Sequence, residues 1–110
     1  MFSNSNYLSL ALVTPCVMLG SFACKETEII FLGQASRKLP FEIQNVARRK
    51  LRMMNNALRI EDLKAPPGNK LEKLKGNWSG FYSIRVNQQW RIVFRWEREA
   101  AYDIQILDYH

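Results

Sequence analysis

The chain has 110 residues, 47% of them hydrophobic and 24% charged, which suits one globular domain and excludes a disordered chain. Sixteen lysines and arginines against ten acidic residues give a net charge of +6, so the surface field favours an anionic partner, nucleic acid first among them. Two cysteines, Cys16 and Cys24, with no CxxC spacing and one histidine exclude a zinc site built on sequence-local ligands, and no disulfide, metal or cofactor is expected.

The first apolar stretch, "YLSLALVTPCVM" (7–18), lacks the basic flank of a signal peptide, because "MFSNSN" carries no Lys or Arg. Thr14-Pro15 also breaks it too early for a bilayer span, so no membrane role is expected. "MLGSFAC" (18–24) reads as a short strand and 25–38 as a short helix ending in a loop around Gly33. Pro40 suits the first turn of a second helix, where a missing N–H costs nothing. Along it Ile43, Val46, Ala47, Leu51, Met54 and Leu58 recur at three- and four-residue intervals and form one apolar face. Arg48, Arg49 and Arg52 lie off that stripe and read as a solvated helix face, and Met53-Met54 as packing.

"APPGNK" (65–70) is a break, after which the hydrophobic period changes from helical to two. Tyr82, Ile84 and Val86 alternate along 81–86, and Trp90, Ile92, Phe94 and Trp96 along 90–96, with the hairpin-length "NQQ" between them. A third strand over 102–107 carries Tyr102, Ile104 and Ile106 on one face. Helices followed by adjacent strands imply an α+β domain with the helices packed on one face of a mostly antiparallel sheet. The even-numbered aromatic and aliphatic residues then lie under the helices. Arg85, Arg91 and Arg95 point from the other face as a compact basic patch. Such a patch serves either phosphate, which guanidinium groups match bidentately, or solubility, and pattern alone leaves both open.

The chain ends "ILDYH", so its single histidine is its last residue. Histidine alone has an unperturbed pKa, about 6.5, that lets it take and give a proton near neutrality. Terminal residues more often fray and stay idle.

"SFACKETE", "PPGNKLEKLKGNWSGFYSIRVNQQWRIVFRW" and the closing "DYH", in one register from about Met18 to His110, resemble the HigB-type toxins, or plasmid maintenance system killer proteins, of the RelE/ParE superfamily. The resemblance implies a β-α-α-β-β-β toxin that enters the ribosomal A site and cuts mRNA as a metal-independent endoribonuclease, acting in the cytoplasm. It also implies a HigA-type helix-turn-helix antitoxin, with operator DNA bound only through the toxin–antitoxin complex. Carried over residue by residue, the family's catalytic Asp-Tyr-His falls on Asp108, Tyr109 and His110, its Trp-Arg-Ile arginine on Arg91 and its Leu-Lys-Gly lysine on Lys75. The histidine of founding members, three residues before that lysine, is Glu72 here, which leaves Glu72 or Asp108 as the base.

Metal-free RNA cleavage needs a base for the 2′-hydroxyl, a cation for the charge on phosphorus and an acid for the departing 5′-oxygen. Glu72 or Asp108 supplies the first, Arg91 with Lys75 the second and His110 the third, with Tyr109 stacking on a base or holding the phosphate. The terminal carboxylate and Asp108 favour the imidazolium form of His110. Lys73, Lys75, Arg85 and Arg95 are the expected RNA-binding cations, and Trp78 is left to meet RNA or antitoxin. The competing functions are a same-fold toxin acting on DNA gyrase and a non-catalytic operon-control module. Residues 1–17, uncharged and outside the likeness, are expected to be a non-native extension of a toxin domain spanning 18–110, with translation starting at Met18.

Overall fold

The computed structural model describes residues 19–108. Two helices, α1 (Lys25–Phe31) and α2 (Phe41–Asn56), precede 3-10 turns at Ile60–Lys64 and Pro67–Asn69. Four strands follow, β1 (Glu72–Lys73), β2 (Phe81–Arg85), β3 (Trp90–Glu97) and β4 (Ala100–Asp108), with a third 3-10 turn, Gly76–Trp78, between β1 and β2. They form one antiparallel sheet in the order β1-β2-β3-β4. The α+β class with helices on one face of the sheet is as the hydrophobic periods imply.

The buried face of α2 is the expected stripe of Ile43, Ala47, Leu51 and Met54, which meets Ile84, Ile92, Phe94, Ile104 and Ile106 of the sheet. Two members depart from it. Val46 is only half-buried, and Leu58 is 58% exposed because the helix ends at Asn56 and the helical period no longer sets its direction. Pro40 is the N-cap, extended at ψ 134°, and stands just outside the first turn rather than within it. Arg48 is no solvated bystander, since its Nε donates to the Ile30 carbonyl at 2.7 Å and its Nη2 to that of Gln34 at 2.9 Å. Ile30 lies in the last turn of α1 and also accepts the Gly33 N–H at 3.0 Å, and Gln34 lies in the loop beyond, so Arg48 ties the end of α1 to α2. The buried Thr27 hydroxyl in turn accepts the Ile106 N–H at 3.0 Å, fastening α1 to β4.

The expected strand at 18–24 is reduced to an isolated parallel bridge between Phe22 and Ile104, and Met18 lies outside the described residues. The segment still follows β4, with the Gly20 N–H donating to Ala101 O at 2.7 Å and the Ala23 N–H to Ile104 O at 2.9 Å. A Cβ at Gly20 would fall 2.2 Å from the Tyr102 ring, so any other residue there would have to displace that ring.

The β2–β3 hairpin keeps the expected alternation: Ile84, Ile92 and Phe94 are fully buried, and Tyr82, Val86, Trp90 and Trp96 pack half-buried against the core. The Asn87 side chain closes its turn by accepting the N–H groups of Gln89 and Trp90, each at 2.8 Å. β4 departs from a simple period of two. Asp103 has φ +52°, and the register with β3 shifts between Val93 and Arg95. As a result Tyr102 pairs with Arg95, while Ala101 joins the core. Tyr102 therefore does not share the face of Ile104 and Ile106, because a bulge inverts the alternation past it.

Candidate active site

β1, β2 and β3 bring three expected or supporting groups together on the arginine face. Glu72 pairs with Ser83, and Arg91 stands in β3 opposite Arg85, one step along the face from Ser83. Ser83 has no solvent exposure, and the Arg91 side chain retains 11%. Arg91 Nε donates to the Ser83 hydroxyl at 2.8 Å, and Nη2 donates to the Lys70 carbonyl at 2.7 Å and more weakly to the Ser83 carbonyl at 3.4 Å. Glu72 is 56% exposed, with Oε1 3.9 Å from Arg91 Nη2, beyond hydrogen-bond distance but close enough for charge attraction. Pro67, Lys70, Leu71, Glu72 and Arg91 line a cleft of about 350 Å³. A carboxylate that can take a proton thus shares a hollow with a guanidinium held in a fixed orientation.

The remaining predicted residues that the structure describes are not all gathered at this cleft. Asp108 ends β4 opposite Trp90, whereas Arg91 faces Leu107, so the register alternates Asp108 away from the Arg91 face. Its carboxylate is exposed and accepts Gln89 Nε2 at 3.0 Å. Tyr109 and His110 lie outside the described residues. Lys73 is exposed and pairs with Tyr82, on the alternate face from Glu72, and Lys75 is exposed just before the Gly76–Trp78 turn. Trp78 is 36% exposed and packs edge-on against Phe81, with ring centroids 5.1 Å apart.

The three arginines do not form one patch. Arg85 is Arg91's direct cross-strand neighbour and donates Nε to the Asn87 carbonyl at 3.2 Å. Arg95 sits four residues along β3, about 13 Å away. There it donates to Asp103 at 2.7 Å, pairs with Glu97 and lies over the Tyr102 ring. Asp103, then Glu97, hold its guanidinium more firmly protonated than usual.

Nothing in the sequence pattern pointed to the support of Arg91. Ser83 occupies a solvent-alternating strand position yet is fully buried. Behind Lys70 stands Asn69, also fully buried, whose Oδ1 accepts Lys50 Nζ at 2.5 Å. Lys50 retains 6% exposure, and burial first, then Arg49 and Arg85, lower its pKa. The signal that could have found Asn69 is a polar amide directly after Pro-Pro-Gly, where a loop needs its carbonyls satisfied. Among the described residues no three His, Cys, Asp or Glu side chains are grouped to hold a metal ion, and no helix is long and apolar enough to cross a membrane.

Residues 21–110 match the family model for the HigB-like toxin, the RelE-like toxin of type II toxin-antitoxin system HigB. The chain belongs to that family. The toxin is 47% identical over 60 residues to Toxin HigB-1 of Vibrio cholerae, a match covering 54% of this chain and 63% of that protein's length. It is 30% identical over 93 residues to Endoribonuclease HigB of Proteus vulgaris, covering 84% of this chain and the whole of that one. Among solved structures the YoeB-YefM complex from Staphylococcus aureus contains a chain of the same fold, with a TM-score of 0.54 at 24% identity, covering 84% of this chain and 97% of that one. A type II family implies an antitoxin partner for the toxin.

Proposed function

We propose that this toxin is an endoribonuclease that cuts mRNA in the ribosomal A site and so halts translation, using side chains for each chemical task. Family membership and the full-length match to an endoribonuclease support RNA cleavage. The observation that carries the assignment of the site is the cleft shared by Glu72 and Arg91. Glu72 takes the proton of a ribose 2′-hydroxyl, and the 2′-oxygen attacks phosphorus. Arg91, aided by Lys75, stabilises the charge gathering on the phosphoryl oxygens. The P–O5′ bond breaks and His110 protonates the departing 5′-oxygen, leaving a 2′,3′-cyclic phosphate and a 5′-hydroxyl. Glu72 is preferred to Asp108 as the base because it lines the cleft with Arg91. Asp108 then acts on His110, and Tyr109 stacks on a base. Lys73, Lys75 and Arg85 hold the RNA backbone, while Arg95, matched with two carboxylates, contributes least.

In this reading the antitoxin is of the HigA helix-turn-helix type, operator DNA is met only through the complex, and the site of action is the cytoplasm. The toxin domain is 18–110, supported by the family match over 21–110 and by the burial of Leu19 in the core. Inducing the chain alone and mapping transcript ends tests the proposal. New 5′-hydroxyl ends within translated codons are expected, and Arg91→Ala should reduce them by about 10²-fold or more while remaining folded. Growth arrest without such ends would move the target away from mRNA.

A further inference from the structure

Arg91 can serve a transferring phosphate only if its guanidinium keeps one orientation, and one of its closest fixed partners is a loop carbonyl, Lys70 O at 2.7 Å. A loop carbonyl orients nothing unless the loop is itself fixed. Lys70 has left-handed backbone angles, φ 48° and ψ 54°, uncommon for a residue with a side chain. What holds it there is the preceding residue. The Asn69 N–H donates to Pro66 O at 2.9 Å, and its Nδ2 donates to Leu63 O at 3.1 Å and Ala65 O at 3.2 Å, so one buried amide gathers the turn from 63 to 69. Its remaining polar atom, Oδ1, accepts Lys50 Nζ from α2, whose flanking residues Ala47, Leu51 and Met54 are in the core.

We infer that Lys50 and Asn69 are positioning residues for Arg91, mooring the 65–70 loop to α2 so that the Lys70 carbonyl fixes the guanidinium in the cleft. The inference rests on the role proposed above for Arg91. With 6% exposure Lys50 has no surface to offer RNA. A cation buried against a neutral amide is also a costly way to gain stability, since an apolar side chain of the same length would avoid the desolvation. Its place is explained by what it orients. Burial first, then the neighbouring Arg49 and Arg85, lower its pKa, and its Nζ donates to Asn69 Oδ1 at 2.5 Å.

The test is Lys50→Met in the full chain, which keeps an unbranched side chain one atom shorter than lysine and removes the donor. Two readouts are taken together: the Arg91 Nε–H resonance and its hydrogen exchange by NMR, and single-turnover cleavage on programmed ribosomes. The resonance should shift and exchange faster while the backbone amide spectrum is retained. Cleavage at saturating toxin should fall by about 10- to 10²-fold, as a misplacement near 1 Å produces, with the half-saturating concentration unchanged. In an Arg91→Ala background Lys50→Met should cause no further loss. An unmoved Arg91 resonance, or an equal loss of rate in both backgrounds, overturns the inference. If wild type cleaves nothing, the proposed function fails while the resonance still decides the mooring. Should Lys50→Met not fold, Lys50→Gln, whose amide falls about one bond short of Asn69, takes its place with the same outcomes.

Discussion

Removing one buried hydroxyl isolates the contact that orients the proposed phosphate-facing cation. Ser83→Ala changes a single oxygen, which accepts Arg91 Nε–H at 2.8 Å at a position with no solvent exposure. A hydrogen bond to a charged group contributes about 1.5–3 kcal/mol, and the donor left behind belongs to a side chain with 11% exposure that water reaches poorly. Because the Lys70 and Ser83 carbonyls still accept Nη2, the expected cost lies near the lower end, about 2 kcal/mol. For a domain of this size that lowers the melting temperature by roughly 8–16 °C. Circular dichroism melts of four proteins, wild type, Ser83→Ala, Arg91→Ala and the double variant, close a thermodynamic cycle. In the Arg91→Ala background the serine substitution should cost less than about 0.5 kcal/mol, because the partner has gone. An unchanged melting temperature for Ser83→Ala, or strict additivity around the cycle, would refute the claim that this hydroxyl holds the guanidinium.

Glu72→Gln should lower single-turnover cleavage by about 10²- to 10⁴-fold with little change in melting, since the side chain is more than half exposed on an edge strand; an unchanged rate would pass the base role to Asp108. Arg95→Gln should alter the salt dependence of ribosome binding less than Arg85→Gln, whose loss should reduce the slope by about 0.7, because Asp103 and Glu97 already match the Arg95 charge. Asp62 accepts the backbone N–H groups of Leu58 and Arg59, which lower its pKa from 3.8, so its contribution to stability is present above that value and fades as pH falls through the lower folded one. The difference in melting temperature between wild type and Asp62→Ala should therefore hold steady at neutral pH and close on acidification below pH 3.8.

Where hydrophobic period decides structure, sequence and fold agree. The stripe from Ile43 to Met54 predicts the buried side of α2, and the alternation from Tyr82 to Trp96 predicts which side of the hairpin meets it. Agreement stops where a single backbone angle takes over. No pattern in "AAYDIQIL" announces that Asp103 adopts a positive φ, so Tyr102 reads as core although the bulge turns it toward Arg95. β1 is two residues long, too short for any period, and so the strand that delivers Glu72 to Arg91 was visible only as part of a family motif. Lys50 follows Arg48 and Arg49 and looks like more solvated charge. Only the approach of Asn69, nineteen residues away, makes it internal.

Arg85, Arg91 and Arg95 look equivalent as letters in strands of period two, and their neighbours make them different. Arg95 meets two full carboxylates, which orient it and cancel its charge together. Arg91 donates to the Ser83 hydroxyl and to the Lys70 and Ser83 carbonyls, dipoles that help fix its direction, and Glu72 stands at 3.9 Å across the cleft. For the phosphoryl transfer proposed here that fixed direction matters, because donors already in place meet the charge as it develops without having to reorganise. The same geometry puts Glu72, the proposed base, on one cleft with Arg91, its proposed stabiliser, at a separation beyond hydrogen-bond distance. Position in the fold, more than residue type, therefore separates the arginine suited to chemistry from the one that holds β3 to β4.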